Sequence, residues 1–291
     1  MTQVEKRLAL TSSATRAAAV VTLGLDERLP VARLPRLAEL LAQAQPGDVL
    51  LSLLADLPPG ARATELGGCL LHEMVVRGVS VSPVATRWSA RLADHPLGSL
   101  PLAPLPGEDD LPLPTFSLNG SAMGMPYGPG PAEVSVPGPV PHVTRQTAPA
   151  DLTAAVTTWL TRSNGRTEAA VCTLAEPIDD VGLRTLESLG LHCLAGDGLA
   201  LRRSTLSEVV GKLFAAAATG GAYDHGLGGA YGRAAAWRSV RALCDGDPAG
   251  CTWWTFDAAN EWFFRVAWDI GIVCLRDDRR ALAVLAATDV D

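Results

Sequence analysis

Apolar residues recur at helical spacing from Val4 to about residue 45, where Leu34, Leu37, Leu40 and Leu41 form a stripe and Pro30 and Pro35 interrupt it. The N-terminal region therefore reads as helical. Residues 48–55, DVLLSLLA, are an apolar run too short to show its period, and Pro58-Pro59-Gly60 then precedes a second helical run over 63–76. VSVSPVA, which follows, alternates as a short strand does. A strand, helix, strand unit fits these three segments, with two further helices as the alternative.

Regular patterning stops at Pro96. Thirteen of the 21 prolines lie between Pro96 and Pro149, with the acidic GEDD at 107–110 and the glycines of NGSAMGMPYGPGP. Such a stretch cannot build ladders or helices and reads as a linker or arm, on which Met123, Met125 and Tyr127 are the residues able to dock. Periodicity returns after 150: a helix to about Arg162, a strand over 168–174, a helix over 179–189, and strands at 192–195 and 199–203 joined at Gly196-Asp197-Gly198. Thr205 and Glu208 stand at capping-box spacing before a helix that stops at Gly220. Strands over 252–256, 265–275 and 281–287 close the chain. The expected class is α+β, with a helical N-terminal region (1–95), a Pro/Gly-rich linker (96–150), and a C-terminal domain (151–291) holding a mixed sheet with flanking helices.

Composition narrows the partners. A formal charge of −7 argues against a nucleic-acid binder with a broad basic face, and no uncharged apolar run is long enough to span a membrane. Arg16 interrupts the first apolar run where a signal peptide needs a continuous one. A cytoplasmic protein is expected. The six cysteines form no CxxC pair and read as buried thiols, since Cys172 with His192-Cys193 lacks the short-range ligand pairs of structural zinc. No metal or cofactor is expected.

The candidate chemistry lies at 220–243, GGAYDHGLGGAYGRAAAWRSVRAL, where the tetrad Gly-Gly-Ala-Tyr occurs twice. Glycines let backbone N–H groups approach a ligand, and a helix N-terminus behind Gly228 and Gly229 favours an anion. Arg233 could hold a carboxylate or phosphate in two-point contact, or pair with a local acid such as Asp224, Asp257 or Glu261. His225, beside Asp224 and between Tyr223 and Tyr231, could move a proton. Trp237, Val240, Leu243 and Cys244 form the apolar stripe of the following helix. Eleven of the fifteen aromatic residues lie between Phe214 and Trp268, which is either a core or a ligand wall. Adjacent Trp253 and Trp254 must face opposite sides of a strand.

No Gly-x-Ser-x-Gly elbow, Walker A loop or Gly-x-Gly-x-x-Gly is present. Two functions follow. The first is binding of a small anionic ligand or a protein partner by the Gly228, Gly229, Tyr231, Arg233 and Trp237 loop. The second is an enzyme in which His225, with Asp224 and Tyr223, transfers a proton on an anionic substrate held by Arg233.

The segment GGAYDHGLGGAYGRAAAW and the ending WFFRVAWDIGIVCLRDDRRALAVLAATDVD resemble an actinobacterial family of unknown function, DUF6183, over roughly residues 205–291. The resemblance implies no activity, cofactor or site residue.

Overall fold

The structure, a computed structural model, describes residues 2–122, 138–196, 198–264 and 266–290. Met123, Met125 and Tyr127 lie outside the described residues. The chain divides into two compact units, Met1–Gly124 with Leu227–Ala234, and Met125–Gly226 with Ala235–Asp291.

The first unit is helical: α1 (Gln3–Leu10), α2 (Ala14–Leu25), α3 (Leu34–Ala44), α4 (Gly47–Asp56), α5 (Ala61–Val76) and α6 (Ser82–Arg91), then the hairpin β1 (Thr115–Ser117) and β2 (Gly120–Ala122). The leucine stripe of α3 is fully buried and packs on α5, and each such leucine stabilises the fold by about 1.5–3 kcal/mol. Neither segment that could have been a strand is one: 48–55 lies in α4, and the last four residues of VSVSPVA begin α6. In α4 only Leu50 and Leu54 are buried, four residues apart, which is a helical period. Pro83 in VSVSPVA occupies the first turn of α6, where a missing N–H costs nothing. Gly67 of α5 lets α6 approach, because a Cβ there would sit 2.0 Å from the Trp88 ring.

Residues 96–122, expected as linker, belong to this unit. Against the expectation that this stretch builds no ladder, β1 and β2 pair with each other, and side chains also satisfy its backbone. Gln43 donates to the Phe116 carbonyl at 2.8 Å and accepts from its N–H at 2.7 Å, while Arg36 stacks on the Phe116 ring.

The second unit holds a six-stranded sheet, ordered β3-β4-β8-β7-β6-β5, of β3 (Val143–Gln146), β4 (Arg166–Leu174), β5 (Leu199–Ser204), β6 (Thr252–Ala258), β7 (Ile270–Leu275) and β8 (Ala281–Thr288). Every pairing is antiparallel. The α+β class stands, but the sheet is not mixed. Its helices are α7 (Thr157–Arg162), α8 (Leu183–Glu187), α9 (Leu206–Thr219) and α10 (Gly228–Cys244); residues 228–234 of α10 count with the first unit. Thr205 and Glu208 form the expected capping box of α9, and Gly220 closes it at φ +82°. Residues 192–195 are not a strand. The Glu168 carboxylate accepts from the N–H groups of His192 and Cys193, which removes the donors a ladder needs, and β5 pairs with β6 instead.

Both sheet faces are covered, as the unbroken burial of β7 and β8 shows. Trp253 and Trp254 are each 3% exposed, so both are core. Trp237, expected at a ligand, is equally buried beside Val240 and Leu243. Arg238 and Arg241 point to solvent.

Candidate functional site

The helix N-terminus behind Gly228 and Gly229 does attract acidic side chains, and the chain supplies them. Gly229 N–H donates to Glu39 Oε1 at 2.9 Å, and Ala230 N–H donates to Glu73 Oε1 at 2.8 Å. The glycine is needed for this approach, since a Cβ at Gly229 would lie 2.3 Å from Glu73 Oε1. Arg36 pairs with Glu39 at 2.8 Å, and Arg77 stands 3.6 Å from Glu73. Burial, and then the charge of Glu39, push the Glu73 carboxyl up to about 8, because an apolar setting and a like charge both disfavour ionisation.

Arg233 is equally committed. Its Nε and Nη2 donate to the two Glu108 carboxylate oxygens at 2.7 and 2.9 Å. Nη1 donates to His72 Nδ1 and the Pro101 carbonyl, and Nη2 also donates to the Ala103 carbonyl. These five acceptors use all five guanidinium N–H groups, and the ion pair is 0% and 1% exposed. No donor is left for a ligand. The partner is none of the local acids expected, but Glu108 from the GEDD segment. Burial and the adjacent Arg233 cation hold His72 down at about 3, so its imidazole is neutral.

Tyr231 reaches a different group, donating to both Glu65 oxygens at 3.0 Å. Burial and Glu65 push its phenol, and the Cys69 thiol that also donates to Glu65, well above their usual ranges. His95 completes the cluster. Leu97 N–H donates to its Nδ1, so Nε2 carries the proton and donates to Glu65 at 2.9 Å. With both nitrogens engaged, His95 has no lone pair for a substrate proton.

The remaining sequence-predicted residues fall in the second unit. His225 is exposed, and Tyr223 is 60% exposed, its N–H donating to Ser163. The Asp224 side chain is 3% exposed, 3.8 Å from Arg162. The first unit thus holds Gly228, Gly229, Tyr231 and Arg233, and the second holds Tyr223, Asp224, His225 and Trp237.

A cavity of about 390 Å³ lies in the first unit. Ala61, Arg62, Thr64 and Glu65 of α5 form one wall, Arg91, Asp94 and His95 at the end of α6 another, and Val31 its edge. Sequence reading missed it because Arg62 stands in no motif. Its signal was the Pro58-Pro59-Gly60 opening of a helix. Gly60 offers no side chain to cap α5, so the first turn, which lines the cavity, keeps the positive end of the helix dipole uncompensated. Arg62 is held in place by Nε and Nη2 bonds to the Gly24 and Leu29 carbonyls. Its Nη1 has no acceptor among the described residues. Among those residues no group of three potential metal ligands is found, and no helix is long and apolar enough to cross a membrane.

The DUF6183 family model, described as a family of unknown function, matches residues 1–291. The chain belongs to this family. The likeness is therefore not confined to residues 205–291, and the DUF6183 match covers the helical unit and its cavity as well as the sheet. No curated protein and no solved structure matches the chain.

Proposed function

We propose that this DUF6183 protein binds a small ligand through an anionic group, and that the site is the cavity at the start of α5. The observation that carries the reading is Arg62, whose Nε and Nη2 are fixed by backbone carbonyls while its Nη1 has no acceptor among the described residues, beside an uncapped helix N-terminus. Two groups an anion seeks, a cation and a helix dipole, are thereby set in a concave wall without further ordering of the protein. The site moves from Arg233 to Arg62; the chemistry expected of it stays the same.

Binding is favoured over catalysis by the state of the acid–base groups. His95, Glu65 and Tyr231 are locked on one another, and Arg233 has no free donor for the substrate that His225 would act on. The six free cysteines support a reducing, cytoplasmic setting.

A melting-shift series with acetate, malonate and inorganic phosphate tests the reading. A bound anion raises the midpoint in proportion to RT ln(1 + [L]/Kd). The shift is expected in the parent chain and absent in Arg62→Gln. Equal shifts in both, or none with any of the three, would overturn the proposal.

A further inference from the structure

The cavity wall carries two arginines, Arg62 and Arg91, and two carboxylates, Glu65 and Asp94. Their formal charges cancel, so a wall built only to hold an anion would carry two superfluous acids. Which charges a ligand can reach follows from removing those already satisfied inside the protein. Glu65 accepts from Tyr231, His95 and Cys69. Arg91 has an internal acceptor on every nitrogen, with Nε on Thr64 Oγ1, Nη1 on the Leu57 carbonyl and Nη2 on the Pro58 carbonyl. Two groups remain among the described residues: Nη1 of Arg62 and the exposed carboxylate of Asp94. Asp26, the acid near Arg62, is itself taken by Arg28 at 2.5 Å. The lining also offers the apolar surfaces of Val31 and Ala61.

We infer that the cavity recognises a zwitterion, a small molecule with a carboxylate for Arg62 and a protonated amine for Asp94, joined by an apolar spacer. This rests on the reading of the cavity as the ligand site and specifies what enters it. Opposite charges on two walls of the cavity select for orientation as well as affinity, because the reversed ligand sets like charges together.

Isothermal titration of the full chain with glycine, β-alanine, γ-aminobutyrate and ε-aminocaproate, beside the alkyl carboxylate and alkylamine of each length, tests the inference. One spacer length is expected to bind about tenfold tighter than its amine-free carboxylate, the gain of one charge-assisted hydrogen bond. Asp94→Asn, at an exposed position where folding is not at stake, is expected to bring the two to parity. Arg62→Gln is expected to abolish both, with its circular dichroism spectrum checked against the parent. If every carboxylate matches its amino acid, the zwitterion is refuted while the anion site stands. If alkylamines bind and Asp94→Asn leaves them unchanged, the inference is refuted too. No heat from any probe would refute both readings.

Discussion

Replacing Arg233 with Met separates a structural cation from a ligand anchor. The substitution keeps an unbranched side chain of similar reach but removes five hydrogen bonds and leaves the Glu108 carboxylate, 1% exposed, without its cation. Breaking a buried pair by removing one partner costs about 3–5 kcal/mol, most of it the penalty of the stranded charge. That is a large fraction of a typical stability of about 5–15 kcal/mol, and corresponds to a fall in Tm of roughly 6–20 °C. Urea denaturation followed by circular dichroism gives the difference. The double variant Arg233→Met with Glu108→Leu removes both charges, so it is expected to recover most of the loss. A single variant within about 1 kcal/mol of the parent, or a double variant no better than the single, would refute the structural role.

Other consequences follow from the same cluster. Between the ordinary carboxyl value of 4.5 and about 8, folded Glu73 keeps a proton that the unfolded chain has released. Stability therefore falls as pH rises through that window, and a melting series from pH 5 to 8, a range chosen to span it, is expected to lose this slope in Glu73→Gln. His72 acts in the opposite sense: its folded value near 3 lies below the ordinary 6.5, so stability is lost as pH falls through that interval. Below 6.5 the two effects oppose, so His72→Gln is expected to unmask the full Glu73 slope in that part of the same series. Gly229→Ala places a Cβ 2.3 Å from Glu73 Oε1 and displaces the carboxyl that accepts from Ala230 N–H at the start of α10; a loss of about 1–3 kcal/mol is expected in denaturant titration.

Local features were legible in the sequence because their causes are local. Thr205 and Glu208 are three residues apart and cap α9 as their spacing says, and Gly220 ends that helix because only a residue tolerant of positive φ fits there. The strands expected over 252–256 and 281–287 are likewise present, as β6 and β8. What failed was whatever depends on distant partners. Arg233 meets Glu108 across 125 positions, and the N–H groups of Gly229 and Ala230 meet carboxylates 190 and 157 positions away. The pattern around Gly228 disclosed that an acidic group belongs there; it could not disclose that Glu39 and Glu73 are the acids. The same limit hid the cavity. Arg62 looks like any solvated arginine until the carbonyls of Gly24 and Leu29 fix two of its nitrogens and leave the third free.

The claim that the anion site lies at α5 rather than in the glycine-tyrosine loop is tested most directly by titrating propionate into three full-length proteins: the parent, Arg62→Gln and His225→Ala. Binding in the parent and in His225→Ala, with loss in Arg62→Gln, is the predicted result. Binding retained in Arg62→Gln and lost in His225→Ala would contradict it.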